Sequence, residues 1–344
     1  MRVQEIFNLH AWFEANKRDF PWRKEPNPYH VFVSEIMLQQ TRASVVIPYF
    51  ERWIERFPTV QALAEANLDE VIKLWEGLGY YSRARNLHMA ALQINREFGG
   101  KIPDSKEQLS QIRGLGPYTV GALLSFGFKK KAAAVDGNVT RVLARYFLVE
   151  ENVGTARAKR RIQEFAETML DLEKPWVTAE ALIELGACLC TAAKPQCEEC
   201  PLRSGCRALQ TGKMEALPIK QAPKKTVLLH RAVFIVESEG FILVRKEKKG
   251  RVMADLYELP YFEKTDESIQ LCLKKEWGLT GDMTKIQGTV KHSFTCHVAT
   301  LYPYHVRLQE KKEISDFDWK RIEELHTIPF SSGHRKILQQ RRFL

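Results

Sequence analysis

The chain has 344 residues, of which 44% are hydrophobic, and this length is sufficient for two domains with buried cores. Lys and Arg number 52 against 42 Asp and Glu, which gives a formal net charge of +10. Such a charge favours nucleic acid, an anionic membrane surface or acidic proteins as partners, although a merely basic soluble protein carries it too. No apolar run approaches the ~18–20 residues that span a bilayer, which excludes a membrane-spanning helix.

Residues 1–210 predict a domain built from helices. The first segment, MRVQEIFNLHAWFEANKRDF, has the pattern of an amphipathic helix and contains acidic residues, unlike a signal peptide. We therefore expect an intracellular, reducing location, where thiols bind metals more readily than they form disulfides. Turn signals such as PNP and GLGP separate further segments with helical spacing of apolar residues. These segments are 44–57, 68–75, 82–98, 117–128, 138–148, 156–170 and 177–189.

Gly114 and Gly116 lie in a tight turn within IRGLGPYTVGALLSF (112–126). Such a turn presents backbone N–H groups at a helix N-terminus, where a phosphate oxygen can bind. A helix-hairpin-helix that binds DNA without sequence specificity has this pattern. On this segment alone an ordinary turn between helices is the more common explanation, but a cysteine-rich loop further along the chain favours DNA binding.

Four of the seven cysteines are packed into one short basic stretch, CTAAKPQCEECPLRSGC. Four thiolates form a tetrahedral, soft ligand set that suits zinc or an iron–sulfur cluster, and the spacing Cys-x6-Cys-x2-Cys-x5-Cys leaves both open. The other three cysteines are scattered, which argues against a disulfide framework. The candidate ligands are Cys190, Cys197, Cys200 and Cys206.

The composition changes after the last of these cysteines. Residues 211–226 are rich in lysine, contain two prolines and predict a linker. The runs 227–238 and 241–247, separated by Glu239-Gly240, predict a β-hairpin. A helix near 266–277 and further strands within 284–308 then predict an α+β second domain.

Several long motifs occur in order along the chain, and together they resemble the endonuclease III superfamily of helix-hairpin-helix DNA glycosylases. Within it, the resemblance is greatest to the adenine glycosylases of the MutY type, and it covers essentially the whole chain. The cysteine spacing is that of this family's [4Fe–4S] cluster, so the resemblance implies that cofactor rather than zinc. The motifs are FPWR (20–23), PYHVFVSEIMLQQT (28–41), GLGYYSRARNL (77–87), GLGPYT (114–119) and AVDGNVTRVLAR (134–145).

Two carboxylates in these motifs carry the expected chemistry. Release of adenine requires a proton on the departing base and stabilisation of an oxocarbenium-like sugar. Glu35 lies among apolar residues, where burial raises a carboxyl pKa, and the resemblance implies that it protonates N7 of the adenine. The resemblance also places Asp136 at the sugar C1′, with Asn138 orienting it or a water. On local sequence alone, a helix start is the more common explanation of both carboxylates, Glu35 following a Ser34 cap and Asp136 being an N-cap.

Tyr118 distinguishes two classes of glycosylase. Lyase members of the superfamily have a lysine at this position, whose amine attacks C1′ to form a Schiff base. A phenol cannot form an imine, so the resemblance implies a monofunctional enzyme that removes the base and leaves the strand intact. A tyrosine that only packs against the helix start is compatible with the same sequence.

Base extraction leaves a gap in the duplex that a side chain must fill. Gln40 and Tyr80 match the wedge residues of the family, and an aromatic ring can stack between bases. Arg23 is a candidate for a phosphate or pocket contact because of its charge. Arg113 stands where the family usually has a proline, and we expect phosphate binding to survive because both hairpin glycines remain. Each of these side chains is otherwise explained as a solvated loop residue.

Residues 227–344 resemble the C-terminal domain of the adenine glycosylases, which is related to the Nudix pyrophosphohydrolases. A working Nudix box needs several glutamates to hold magnesium. The corresponding stretch, 267–280, keeps Glu276 but lacks the Arg-Glu and Glu-Glu pairs. We therefore expect no nucleotide hydrolysis, and the resemblance implies that this domain recognises 8-oxoguanine opposite the adenine.

The recognition loop of the family is Phe-Ser-His, whereas this chain has Phe294-Thr295-Cys296. Thr295 keeps a hydroxyl that can bond to the oxidised base, and Phe294 keeps the ring. Cys296 cannot replace an imidazole as a donor, so this loop is where the chain departs most from the family.

The predicted architecture is a mostly α glycosylase domain joined to an α+β Nudix-like domain. The first domain spans 1–210, with a helix-hairpin-helix at about 110–127 and a cluster loop at 190–206. A linker over 211–226 leads to the second domain, 227–344.

The predicted function is removal of adenine mispaired with 8-oxoguanine or guanine in duplex DNA, as the first step of base excision repair. The family implies a monomer that acts on DNA at the bacterial nucleoid in the cytoplasm, without a membrane. The first alternative is an endonuclease III-like or thymine-mismatch glycosylase with lyase activity. The second is a catalytically silent iron–sulfur protein that binds DNA, and a zinc-bound nucleic-acid module is a weaker third.

Overall fold

The structure, a computed structural model, describes residues 2–171, 173–222, 225–248, 250–264, 268–294 and 296–344. Its contacts divide the chain into two compact units: unit 1 is Met1–Glu65 with Asn86–Ala222, and unit 2 is Ala66–Arg85 with Pro223–Leu344. Residues 66–85, which the sequence analysis placed in the helical domain, therefore cluster with the C-terminal part of the chain. Residues 211–222, expected to be a linker, belong to unit 1. Thr295 lies outside the described residues.

The predicted helical segments of the first 210 residues are confirmed. Several helices begin where a short polar side chain accepts a backbone N–H, as Asn27 does for α3, Ser105 for α8 and Thr155 for α11. The helices are α1 Arg2–Asn16, α2 Pro21–Lys24, α3 Pro28–Leu38, α4 Ala43–Arg56, α5 Val60–Glu65, α6 Leu68–Leu74, α7 Ser82–Phe98, α8 Lys106–Gln111, α9 Pro117–Ala122, α10 Gly137–Tyr146, α11 Ala156–Met169, α12 Pro175–Cys188 and α13 Arg207–Gln210.

The predicted glycine turn connects α8 to α9, and α9 continues into a π-type turn, Leu123–Gly127. Gly114 has a φ of 87°, a conformation that favours glycine. A Cβ at this position would also lie 2.8 Å from Cβ of Asn86, so the turn approaches α7 too closely for any side chain. Gly116 has an ordinary φ of −85° and open space around it, so neither strain nor crowding demands a glycine there.

The C-terminal part of unit 2 contains one mixed sheet and two helices. The predicted hairpin is confirmed, since β1 and β2 pair antiparallel with Ser238 opposite Phe241. β1 pairs in parallel with β7 on its other side, and the strand order is β3-β2-β1-β7-β5, with β4 on β1, β6 on β7 and β8 on β2. The elements are β1 Val227–Ser238, β2 Phe241–Lys246, β3 Tyr257–Glu258, β4 Tyr261–Glu263, α14 Ile269–Trp277, β5 Asp282–Lys285, β6 Val290–Phe294, β7 His297–Arg307, β8 Asp318–Arg321 and α15 Ser332–Gln340.

Both faces of this sheet are covered. Alternate residues of β1 point to opposite faces: Val233 packs in the same cluster as Leu338 of α15, and Phe234 packs with Leu273 of α14. Burial on both sides explains why β1 reads as a nearly continuous apolar run. Within the described residues, no helix is long and apolar enough to cross a membrane.

Candidate active site

Glu35 is a buried carboxylic acid in the middle of a helix. It lies in the second half of α3, whose N-cap is Asn27, so the alternative of a first-turn glutamate capped by Ser34 is wrong. Only 7% of Glu35 is exposed. Burial raises its pKa to about 7, and the nearby charge of Asp136 adds to this rise. A carboxyl group with such a pKa holds its proton near neutral pH.

Tyr118 contacts this acid directly. Its hydroxyl donates a hydrogen bond to Oε2 of Glu35 at 2.5 Å, across 83 residues of sequence. Burial raises the pKa of the phenol well above its usual value, and the charge of Glu35 raises it further. The phenol therefore remains a hydrogen-bond donor. That contact opposes the effect of burial on Glu35, because a donor stabilises the ionised carboxylate.

Asp136 is the N-cap of α10, as the local sequence alone suggested. Oδ1 accepts the backbone N–H of Val139 at 2.7 Å, and Oδ2 accepts the side-chain amide of Asn138 at 2.8 Å. Burial raises the pKa of Asp136, while these two donors oppose that rise. The cap interaction is thus compatible with a chemical role, because the two donors fix the orientation of the carboxylate and stabilise its charged form.

Arg141 fixes the far side of Asn138 and was missed by the sequence analysis. Its guanidinium donates to Oδ1 of Asn138 at 2.8 Å, to the carbonyl of Gly186 at 2.6 Å and to the carbonyl of Cys190 at 2.7 Å. A Cβ on Gly186 would lie 2.7 Å from that of Asn138, so α10 and α12 are in close contact here. An arginine one helical turn after Asn138 on α10 was the available signal.

The predicted catalytic residues line one large groove of unit 1. Its walls include Glu35, Tyr118, Asp136, Asn138 and Gln40. Basic side chains outnumber acidic ones along it, which gives the groove the charge that a polyanion requires. The basic lining residues are Lys17, Arg18, Arg23, Lys24, Arg42, Lys106, Lys129, Lys130, Lys131, Lys159 and Arg160.

Arg23 also lines the groove, but it is held by acidic residues. It pairs with Glu180 at 3.1 Å and with Glu184 at 2.9 Å, and its side chain is 17% exposed. Arg18 pairs with the same fully buried Glu184 at 2.5 Å. Arg23 is therefore placed as part of the pocket wall rather than as a free contact for phosphate. The signal for its partners was two glutamates within the otherwise apolar helix α12.

The two predicted wedge residues have unusual backbones in separate units. Gln40, in unit 1, has a φ of 57°, and Tyr80, in unit 2, has a φ of 48°. Non-glycine residues seldom adopt this conformation, and it concentrates at functional sites. Tyr80 is 46% exposed.

The four candidate ligand cysteines line one small apolar cavity of unit 1. All four are free thiols. Among the described residues no group of three or more His, Cys, Asp or Glu is gathered closely enough for a single metal ion. Four cysteine sulfurs around one cavity are nevertheless a donor set that suits a thiolate-bound group such as an iron–sulfur cluster.

The surroundings of this cavity fit an anionic sulfur site. Arg145 is buried and donates to Sγ of Cys190 at 3.3 Å. Backbone N–H groups of Leu202 and Leu209 point to the sulfurs of Cys200 and Cys206. Hydrogen bonds to sulfur are among the ways in which a protein tunes such a group.

In unit 2 the predicted recognition loop is the tip of the β6–β7 hairpin. Phe294 and His297 form its last pair, and their rings stack with centroids 5.3 Å apart and planes 16° apart. Sγ of Cys296 lies 3.7 Å from Nδ1 of His297, and the guanidinium of Arg231 lies 5.7 Å from the Phe294 ring. His297 therefore lies opposite Phe294 on the same face of this hairpin.

The helix that corresponds to a Nudix box is α14. Cys272 is buried in it, while Lys274, Lys275 and Glu276 are exposed. The absence of nucleotide hydrolysis stays a prediction, and Glu267 lies outside the described residues.

The fold and the groove of unit 1 define a class of protein, the helix-hairpin-helix DNA glycosylases. Residues 33–170 match the profile described as HhH-GPD superfamily base excision DNA repair protein, and residues 231–340 match that of the NUDIX domain. A solved thermostable thymine-DNA glycosylase superposes with a TM-score of 0.57 at 27% identity, over 61% of this chain and 97% of that one.

The chain belongs to the adenine DNA glycosylase family. It is 33% identical to the adenine DNA glycosylase of Buchnera aphidicola subsp. Baizongia pistaciae, over 75% of this chain and 73% of that protein. It is 42% identical to the adenine DNA glycosylase of Rattus norvegicus over 61% of this chain. That match spans only 43% of the rat protein.

Proposed function

We propose that the protein is a monofunctional adenine DNA glycosylase that removes adenine opposite 8-oxoguanine or guanine in duplex DNA and so begins base excision repair. The observation that carries the proposal is the pair of carboxylates in the groove of unit 1. Burial raises the pKa of both carboxyl groups, that of Glu35 to about 7, and the two hydrogen bonds that Asp136 accepts favour its charged form. Two carboxyl groups in contrasting environments are the arrangement needed for an acid and an anion at one site.

Glu35 acts as the proton donor in this scheme. An adenine anion is a poor leaving group, so the base must gain a proton as the N-glycosidic bond breaks. Glu35 supplies that proton to N7 of the extruded base. The hydrogen bond from Tyr118 then stabilises the carboxylate that remains.

Asp136 stabilises the positive charge that develops at C1′ of the deoxyribose. Its carboxylate is fixed by the N-terminus of α10 and by Asn138, which Arg141 holds in turn. Such fixed charges are effective because they need no reorganisation as the reaction proceeds. Water then completes the hydrolysis and leaves an abasic site in an intact strand.

The absence of strand cleavage follows from the side chain at position 118. A phenol that donates to Glu35 cannot form an imine with C1′, so Tyr118 provides no route to β-elimination. This residue separates the proposal from the lyase alternative.

The remaining features supply binding. The Gly114 turn and the basic groove bind the phosphate backbone, Gln40 and Tyr80 fill the gap left by the base, and the Phe294 hairpin reads the opposite base. Cys190, Cys197, Cys200 and Cys206 hold a [4Fe–4S] cluster, which supplies folding free energy by cross-linking its loop. The protein acts as a monomer on DNA in the cytoplasm.

A single-turnover assay tests the proposal. Duplexes with adenine opposite 8-oxoguanine, adenine opposite guanine, and thymine opposite guanine are each analysed with and without alkali. We expect adenine release that becomes visible as strand scission only after alkali. Glu35→Gln should abolish this release, whereas Glu164→Gln, at an exposed site on α11 outside the groove, should retain it.

Other outcomes favour the alternatives. Strand scission without alkali, or trapping of a protein–DNA adduct by borohydride, would indicate a lyase. Release of thymine alone would indicate a thymine-mismatch enzyme. Tight binding without release from any duplex would indicate a silent iron–sulfur protein, and zinc without iron in the purified protein would replace the cluster.

A further inference from the structure

The loop Gly77–Tyr80, hereafter the Tyr80 loop, is hydrogen-bonded to its neighbours in unit 2. The carbonyl of Gly79 accepts hydrogen bonds from Nε1 of Trp75 at 3.1 Å and from Arg83 at 3.2 Å. The guanidinium of Arg83 also lies 5.6 Å from the centroid of the Tyr80 ring. The loop thus presents an exposed tyrosine from a rigid base of buried side chains.

The residue immediately before this loop is anchored to the C-terminal part of the chain. The side chain of Glu76 is only 8% exposed. Its Oε1 accepts the backbone N–H of Phe330 at 2.9 Å and Nε of Arg335 at 2.6 Å. Its Oε2 pairs with Lys73 at 3.0 Å, and Lys73 donates in turn to the carbonyl of Ile328 at 3.1 Å.

The residues that flank this anchor are tied down as well. Beyond the loop, Arg85 donates to the carbonyl of Ala254 at 2.8 Å and lies 3.5 Å from Asp255. Before the loop, Asp69 pairs with Lys246 of β2 at 2.6 Å. Both ends of the Tyr80 loop are therefore attached to the C-terminal part of unit 2, hereafter the sheet domain, and the Glu76 side chain accepts from three different partners in these attachments.

We propose that Glu76 is a positioning residue that couples the C-terminal sheet domain to the Tyr80 loop. The inference rests on the wedge role of Tyr80 in the proposed function and adds what sets the position of the wedge. Movement of residues 328–335 when the sheet domain engages the opposite base is transmitted through Glu76 to the start of the loop. The same domain that reads the opposite base thereby helps to place the side chain that fills the gap.

Because the Glu76 side chain is buried, loss of its charge should have a large effect on its partners. If Glu76 loses its charge, Arg335 and Lys73 remain half-buried without their shared anion, which destabilises the arrangement. A purely structural glutamate would lower stability without a specific effect on the loop. The two roles therefore predict different measurements.

Hydrogen exchange in the full chain without DNA tests the anchor itself. We expect Glu76→Gln to accelerate exchange of the amides of residues 77–81 at least tenfold, while the amides of β1 and β7 are unchanged. Arg335→Gln, far away in sequence, should give the same change at residues 77–81. Glu323→Gln, an exposed glutamate of unit 2, is the matched control and should change neither region. Unchanged exchange at residues 77–81 in both anchor variants would overturn the inference.

A double-mutant cycle on DNA tests the coupling. The probe is a duplex with 2-aminopurine next to 8-oxoguanine, in which fluorescence reports unstacking and a parallel assay gives the single-turnover rate of adenine release. We expect Glu76→Gln to reduce both the fluorescence change and the rate of adenine release about tenfold. In a Tyr80→Ala background the same substitution should have no further effect, because the wedge through which it acts is gone.

The outcomes distinguish failure of the coupling through Glu76 from failure of the wedge role of Tyr80. Additive losses from Glu76→Gln and Tyr80→Ala, with Tyr80→Ala itself impaired, would overturn the coupling and leave the wedge in place. If Tyr80→Ala unstacks and releases adenine like the unmodified protein, the wedge role fails, and the coupling fails with it whatever the exchange result. Faster exchange at residues 77–81 together with a non-additive double-mutant cycle would support the inference.

Discussion

The groove of unit 1 and the Phe294 hairpin of unit 2 hold their functional side chains in different ways. In the groove, Glu35 is buried and bonded to Tyr118, and Asp136 accepts two donors within 2.8 Å. At the hairpin, Phe294 is half-exposed and is held by a ring stack with His297. Bond cleavage needs charges fixed in advance, whereas reading a base needs a surface that the base itself completes. Loss of the Asp136 charge should therefore lower the rate of adenine release by orders of magnitude, whereas substitutions at the hairpin should lower it only by small factors.

Asp136→Asn should have the largest effect and gives the sharpest test of this contrast. Asparagine is as good an N-cap as aspartate, so α10 and the thermal stability should be preserved. The anion proposed to stabilise C1′ is lost, and we expect single-turnover release of adenine to fall roughly a thousandfold. The measurement is a release assay beside a thermal unfolding curve.

Thr155→Asn is the matched control for Asp136→Asn, because Thr155 caps α11 through the same kind of contact at an exposed site. It should change neither stability nor rate. Near-normal release by Asp136→Asn would mean that Asp136 is only a helix cap.

Ionisation of the buried Glu35 in the groove should also lower the free energy of unfolding, an effect that has no counterpart at the hairpin. The pKa of Glu35 is about 7 in the folded protein against an ordinary glutamate value of 4.5, so folding opposes its ionisation. Stability should fall as the pH rises from 4.5 to 7 and then level off. Glu35→Gln removes this dependence and should raise the free energy of unfolding by about 3 kcal/mol above pH 7.

Urea unfolding at a series of pH values measures this difference. The gain from Glu35→Gln should vanish below pH 4.5, where Glu35 is protonated in both the folded and the unfolded chain. Glu164→Gln, at an exposed site on α11, is the control for replacing a glutamate elsewhere in unit 1. An equal gain at all pH values would contradict the raised pKa.

Features that depend on local sequence patterns could be predicted from the sequence. Helical spacing located the helices, and short motifs located Glu35 and Asp136, because both depend on local patterns. The same local patterns could not decide that Asn27 rather than Ser34 begins α3, since both are good caps. Asp136 is both a cap and a groove residue, so the two local interpretations were never exclusive.

Contacts between distant segments were beyond the sequence. The bond from Tyr118 to Glu35 crosses 83 residues, and that from Arg141 to Cys190 crosses 49. Neither leaves a local signal, because they result from packing of helices that composition does not specify. The same holds for residues 66–85, whose helical pattern says nothing about the sheet domain with which they cluster.

Tyr118→Phe should have an intermediate effect within the groove. The hydroxyl lowers the pKa of Glu35 by donating to it, so its removal should raise that pKa. We expect the alkaline fall in the rate of adenine release to shift upward by about one pH unit. At pH 6 the rate should change less than tenfold, because Glu35 still holds its proton.

The pH profile of single-turnover release measures this shift, and Tyr49→Phe, on α4, serves as a control for loss of a tyrosine hydroxyl elsewhere in unit 1. An alkaline limb that moves downward, or does not move, would mean that the bond between Tyr118 and Glu35 does not tune the acid.

Phe294→Ala should have the smallest effect, and it tests the other side of the comparison. Loss of one aromatic stack is worth about 0.5–1.5 kcal/mol, so the ratio of rates opposite 8-oxoguanine and guanine should fall by a small factor. The rate opposite guanine should be unchanged, because Glu35 and Asp136 are untouched. Phe241→Ala, on β2, is the control for loss of a half-buried ring from the same sheet. A uniform loss opposite both bases would place Phe294 in general DNA binding, and the hairpin would then resemble the groove in acting on every substrate alike.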